Sequence, residues 1–243
     1  MEWYEVAFDR MYPVVYRHRD YEEAEQVAGA IAPLLRGSEP VLDLACGPGR
    51  YLEALTRLRF SVIGLDLSHY LLKACVDKWG HGDVILQGDM RHLPFSNESF
   101  GSVINMFTSF GYFSRDTDNV LVCQEVYRVL RSGGVFLFDF INAHRLAVQF
   151  LERSERDEEH YHIEEKRRLE QHGKFLVKDI SILDHQTGER SKVSERLRLY
   201  TREELESMLG GIGFVVRETY GDYQLNRFVD GISDRVVILA EKP

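Results

Sequence analysis

No apolar run in the 243 residues approaches the length of about 18 needed to cross a bilayer. The opening MEWYEVAFDR has neither the basic stretch nor the apolar core of a secretory leader, so no membrane partner and no export are expected. Cysteine is scarce. Cys46, Cys75 and Cys123 stand far apart, odd in number and outside any zinc spacing, which argues against a disulfide framework or a metal site and for a reduced, cytoplasmic protein. Positive charge is also short: 30 basic residues face 39 acidic ones, a net of −9, and a broad nucleic-acid footprint is not expected. Pro/Gly/Ser-rich linkers and internal repeats are missing too. What is present, 44% hydrophobic and 12% aromatic residues, excludes disorder and suits one domain over 1–243.

From residue 20 to 140, strand-like and helix-like segments alternate. DYEEAEQVAGAIAPLLRG reads as a helix, with Asp20 as N-cap, Glu23 three residues on, and Gly37 at its stop. VLDLA, SVIGLD, DVILQGD, FGSVINMF and GVFLFDF are short, uninterrupted apolar runs, as strands covered on both faces should be. Helices are expected near 50–58, 69–79 and 117–131. The repeated strand–helix–strand order predicts an α/β fold with a parallel sheet and right-handed crossovers. Beyond it, 152–172 is so dense in charge that it reads as a solvated face or connection. FLVKDISILD and SKVSERLRLY, joined through HQTGER, then form an antiparallel pair. Residues 152–200 are thus expected to be a β insert, or cap, within the α/β domain. In SKVSERLRLY, Val193, Leu197 and Leu199 alternate with Arg196, Arg198 and Tyr200, giving one apolar and one polar face. Thr201 and Glu204 cap a last helix, and FVVRETY and RVVILAEK close the chain.

The informative stretch is VLDLACGPGRYLEAL, a strand running through Gly47-Pro48-Gly49 into a helix. A third glycine at position 52 would complete a dinucleotide fingerprint, but Leu52 stands there. Asp43, on the strand before the loop, would repel a pyrophosphate and suits an ammonium group. Asp66 ends the second strand, where a carboxylate can accept both hydroxyls of a ribose. Asp89 ends the third, placed for an adenine amino group between Leu67 and Met90. Ammonium, ribose and adenine acceptors around one glycine turn describe S-adenosylmethionine (SAM) rather than NAD.

Residues 41–140 resemble the class I SAM-dependent methyltransferases. Asp43-Leu44-Ala45-Cys46-Gly47-Pro48-Gly49 matches their first motif, Gly64-Leu65-Asp66 the second, Gly88-Asp89-Met90 the adenine motif, and Arg128 to Gly134 the turn before the fifth strand. The resemblance implies a Rossmann-like seven-stranded, mostly parallel sheet of order 3-2-1-4-5-7-6, with helices on both faces and the antiparallel insert. The candidate cofactor set is Asp43, Ala45, Cys46, Gly47, Gly49, Tyr51, Asp66, Leu67, Asp89, Met90 and Met106, with Tyr12 and Tyr16 as a lid from an N-terminal helix. NMFTSFGYF, GDMR and LYTREEL are similar to SAM-dependent N-methyltransferases of amino sugars, which points to a small-molecule acceptor and favours nitrogen over oxygen. His144 and Tyr200 are the candidate catalytic residues; Asn142, Arg198 and Phe107 are the candidate substrate contacts. An RNA (tRNA) methyltransferase using the basic run KRRLEQHGK, a non-catalytic SAM-binding protein and an NAD(P) oxidoreductase are the rival readings, and a homodimer is left open.

Overall fold

In the computed structural model, which describes residues 2–8, 10–17 and 19–243, the alternating segments assemble into a seven-stranded sheet. Its strands are β1 (Val41–Leu44), β2 (Val62–Asp66), β3 (Ile85–Gln87), β4 (Phe100–Asn105), β5 (Leu130–Ile141), β10 (Val215–Tyr220) and β11 (Arg235–Glu241). The order is β3-β2-β1-β4-β5-β11-β10, and β11 runs antiparallel to both its neighbours. With β10 and β11 as sixth and seventh strands, this is the expected 3-2-1-4-5-7-6. Helices lie on both faces. On one, α6 (Asp116–Val129) and α8 (Arg202–Ile212) cover Leu42, Leu44, Phe136, Phe138 and Phe140. On the other, α3 (Tyr21–Leu35) and α4 (Arg50–Arg57) cover Val41, Val62, Ile104 and Leu137. Phe136 and Leu137 are neighbours in sequence and point to opposite cores, the two-residue period of a strand buried on both sides. The caps form as read: Asp20 accepts the Glu23 N–H at 2.9 Å, and Thr201 with Glu204 makes a complete capping box.

The charge-dense 152–172 segment is not a loose connection. It forms β6 (Arg153–Glu158) and β7 (Tyr161–Glu170), which join β8 (Phe175–Asp184) and β9 (Arg190–Arg198) in a four-stranded antiparallel sheet. Its charges pair on the diagonal across strands, as Arg153 does with Glu164 and Arg168 with Asp179. Such pairs let a strand form where composition alone reads as solvated. One face of this sheet is divided. At one end Ile163, Ile180, Ile182 and Val193 pack against Met11 and Val15, the latter closing α2 (Tyr12–Val15). At the other end the same face carries Glu165, Arg167, Lys178 and Glu195 and turns toward the main sheet. Among the described residues, no helix is long and apolar enough to cross a membrane.

One ion pair ties the carboxyl end of the main sheet together. Asp139 of β5 is fully buried and accepts from Arg235 Nε and Nη2, at 2.8 Å each, and from the Tyr223 hydroxyl at 2.8 Å. Its Oδ2 also takes the Phe107 backbone N–H at 2.6 Å, while Arg235 reaches the Thr108 hydroxyl at 2.7 Å. Phe107 and Thr108 both hold positive φ, of 57° and 59°, a conformation that side chains disfavour and that these bonds maintain. Burial works against the Arg235 charge, but Asp139 more than offsets it and holds the guanidinium protonated. Replacing Arg235 by Met leaves Asp139 buried without a counter-charge, and a loss of about 3–5 kcal/mol is expected in urea unfolding. Arg217→Met removes an exposed, solvent-screened pair with Glu241 and should leave the unfolding midpoint nearly unchanged. Equal midpoints for the two variants would contradict this assignment.

Candidate active site

A crevice of about 610 Å³, open mouth included, lies beyond the carboxyl ends of β1, β2 and β3. Ala45, Gly47, Asp66, Leu67, Asp89 and Met90 line it. Ser109, Tyr112 and Phe113 wall it from the loop after β4, while Tyr4, Phe8 and Tyr12 cover it from the N-terminal segment. The loop is shaped by its backbone: Ala45, Gly47 and Gly49 all have positive φ, and Gly49 starts α4 without a side-chain cap. A Cβ on Gly49 would stand 2.3 Å from Cys75 Sγ, in α5 (His69–Trp79), so this position is closed to larger residues on two counts.

Three carboxylates were expected to grip the cofactor, and their surroundings differ. Asp43 is buried beneath the loop; a Leu52 backbone N–H reaches its carboxylate, and Oδ2 has no hydrogen-bond partner. Burial, and then the nearby Asp66 charge, push its carboxyl up to about 7. An ammonium group beside it would give Oδ2 a donor and draw the carboxyl back to its ionised form. Asp66 accepts Gly47 N–H and Ser68 N–H, at 2.8 Å each, one on either oxygen. Each oxygen keeps acceptor capacity for a ribose hydroxyl. Asp89 is gripped by Arg91, whose Nε lies 3.0 Å from both oxygens, so an adenine amino group would compete with a guanidinium for it. Burial works to raise the Asp89 carboxyl, and the Arg91 hydrogen bonds overcome it and hold it below its ordinary range. The unpartnered Asp43 oxygen and the acceptor capacity of Asp66 fit SAM.

The other expected cofactor contacts fall elsewhere. Cys46, Tyr51 and Met106 are buried: Cys46 Sγ packs toward Gly64 of β2, and Tyr51 and Met106 belong to the core under α3 and α4. Their side chains support the loop from behind and do not line the crevice. Tyr12 does line it, but Tyr16 stands one cavity further on.

That second cavity, of about 1420 Å³ with its mouth, adjoins the crevice, and Phe8, Tyr12 and Tyr112 line both. Phe107 lines it as expected, with Thr108, Arg235 and the polar end of the insert's sheet face. Four expected acceptor-site residues are not there. Asn142 caps α7 (Ala143–Val148): its Oδ1 accepts the His144 and Arg145 N–H groups, and its amide donates to the Ser233 carbonyl at 2.8 Å. His144 is half exposed and pairs with Asp230 at 2.8 Å, away from both cavities. Tyr200 is 2% exposed, packed at an angle against Phe110 and edge-on to Phe140, and donates to Asp116 at 2.7 Å. Arg198 bonds Glu204 at 2.9 Å and the Leu199 carbonyl, in the groove between α6 and α8. The last two corrections have one cause. The odd face of β9, which reads as apolar, looks into the cavity, and the even face looks away.

Glu195, Lys178, Tyr112 and Arg235 are the cavity residues that sequence reasoning missed. A signal existed for two of them. Lys178 interrupts the apolar series Leu176, Ile180, Ile182, and Glu195 stands between Val193 and Leu197; each puts one charge on an otherwise apolar face. Tyr112 lay inside NMFTSFGYF.

Two measurements test the crevice. Asp66→Ala should weaken SAM binding by about 1.5–3 kcal/mol in calorimetry, the range for lost hydrogen bonds to a charged group. SAM affinity should rise with pH between about 6 and 8 as Asp43 ionises, and Asp43→Asn should flatten that profile. Because the folded-state pKa lies above the ordinary carboxyl value, the cofactor-free protein binds the extra proton and loses stability as pH climbs from about 4 to about 7. A pH-independent affinity in the unaltered protein would remove Asp43 from the ammonium role.

Residues 42–138 match the family model described as a methyltransferase domain. A putative methyltransferase of Bacillus subtilis, YqeM, is 26% identical over 89% of this chain and 89% of its own length. The dTDP-3-amino-3,4,6-trideoxy-alpha-D-glucopyranose N,N-dimethyltransferase of Streptomyces venezuelae is 32% identical over 56% of this chain and 58% of its own. The CcbJ methyltransferase from Streptomyces caelestis superposes with a TM-score of 0.83 over 98% of both chains at 20% identity, a likeness of fold. Over residues 42–138 the chain carries a methyltransferase domain, and the residues of the crevice fit SAM as the methyl donor.

Proposed function

We propose that the acceptor is a small polar molecule, methylated on an amino nitrogen in the cavity beside the cofactor crevice. The observation that carries this is the shared wall: Phe8, Tyr12 and Tyr112 belong to both spaces. A molecule seated among the insert's charged side chains meets the cofactor across those rings. SAM, when bound, supplies an electrophilic methyl carbon. The chain's own work is to hold the acceptor in line with it and keep water away, which is what most methyl transfers to nitrogen require. Burial pushes the Tyr12 hydroxyl up to about 12, so it stays a neutral donor in this wall. The partly matching Streptomyces venezuelae relative carries an amino-sugar N-methylation in its name, which supports nitrogen. Three free, buried cysteines support a cytoplasmic setting.

The RNA reading loses its basic strip. Within KRRLEQHGK, Lys166 pairs with Glu164 at 3.3 Å, Arg167 with Glu165, and Arg168 with Glu170 and Asp179. Release of S-adenosylhomocysteine should be followed with primary amines, amino sugars among them, with their hydroxyl counterparts and with tRNA. Turnover is expected with amines at a rate at least about tenfold above the hydroxyl series. Turnover confined to tRNA, falling steeply with salt, would replace this reading with the RNA one.

A further inference from the structure

Among the described residues, three carboxylates face the acceptor cavity, and they are not equivalent. Glu165 is already held by Arg156 at 2.8 Å and by Arg167. Glu158 belongs to the edge strand β6, with Arg156 Nε at 3.8 Å. Glu195 is the one that meets the aromatic wall. The Tyr16 hydroxyl donates to it, 2.9 and 2.7 Å from its two oxygens, and Lys178, its direct partner across β8 and β9, lies 2.7 Å from Oε2. Lys178 also donates to the Tyr16 oxygen, which closes a ring of three groups. The Tyr16 ring lies 4.7 Å from that of Tyr12, which lines both spaces. Glu195 therefore stands one tyrosine behind the shared wall.

Two donors occupy a carboxylate that can accept about four hydrogen bonds. The remaining capacity belongs to a side chain only 16% exposed, in a cavity whose adjoining wall is aromatic. A cation entering here gains a charge-assisted hydrogen bond and the ring of Tyr12, since Lys178 already stands over the Tyr16 ring at 4.5 Å. Lys178 stands beside the carboxylate as its counter-charge, and Tyr16 fixes its orientation. A neutral hydroxyl would gain far less from this arrangement than an ammonium.

Resting on the reading that this cavity takes the methyl acceptor, we infer that Glu195, held by Tyr16 and Lys178, is the carboxylate that receives the acceptor's amino group as an ammonium. It is a specificity residue: it selects an aminated molecule and turns the nitrogen toward the wall the cofactor adjoins. Glu165, with Arg156 and Arg167, shapes the cavity floor without taking part.

A probe that needs no knowledge of the natural acceptor tests this. In a nitrogen-for-sulfur analogue of S-adenosylhomocysteine, the methyl position carries an aminopropyl arm, and a second analogue carries a butyl arm of the same length. Calorimetry on the full chain should show the aminopropyl compound binding at least about tenfold tighter than the butyl one. Glu195→Gln, which keeps an oxygen for Tyr16, should abolish that preference and leave S-adenosylhomocysteine affinity within about twofold. Lys178→Met should enlarge the preference, because it frees the carboxylate; a merely structural role predicts a loss in both variants. Equal binding of the two arms, or a preference that survives in Glu195→Gln, overturns the assignment. Amine turnover that proceeds unchanged in Glu195→Gln defeats this inference and leaves the proposed function standing. An arm preference that depends on Glu195, with no amine methylated, does the reverse.

Discussion

The working end of this molecule is organised by one buried carboxylate. Asp139 gathers a guanidinium from β11, a phenol from the C-terminal loop and a backbone amide from the segment after β4. Along the chain Arg235 stands 96 residues from Asp139, Tyr223 84 and Phe107 32. The ion pair is not there chiefly for stability, since a well-packed apolar substitute often does as well. It is there because a loop with two consecutive left-handed residues, Phe107 and Thr108, would otherwise relax. That loop supplies Tyr112 to the crevice and Phe107 to the cavity, so both spaces take their shape from the same charge.

The glycine loop works on the opposite principle. Asp66 is satisfied by backbone N–H groups, while Asp43 is buried with an oxygen that none of the described residues bonds. A buried polar group left in that state costs free energy, and proteins keep such groups where a ligand makes good the loss. The raised Asp43 carboxyl and its orphan oxygen are two expressions of one fact: the loop is complete only with its cofactor.

The parallel sheet and its cofactor loop were legible because local rules settle them. Uninterrupted apolar strands, a glycine where φ must be positive and acids at strand ends all act within a few residues. The insert resisted for a different reason. Its strands 153–170 are held by pairings between residues many positions apart, and composition alone cannot see that Arg153 meets Glu164. The parity of β9 was misread because apolar residues were taken to face a core, when Glu195 among Val193 and Leu197 marked that face as part core and part cavity. Arg198 and Tyr200 therefore fell on the wrong side, by one residue of register. His144 and Asn142 were placed by their nearness to the end of β5. Their side chains are engaged instead by Asp230 and by the Ser233 carbonyl, in a loop more than 85 positions later.

The walls of the two spaces come from different parts of the chain. The donor side is built from turns of the parallel sheet, where a glycine, a cysteine and three acids constrain one another closely. The larger cavity takes part of its wall from one face of a four-stranded sheet, whose charged residues project from a backbone held by its own ladder of amide bonds. Side chains on that ladder can be exchanged without disturbing the strands beneath them. Evolution can thus retune what is recognised while the chemistry stays fixed, much as a tool keeps its handle when the bit is changed.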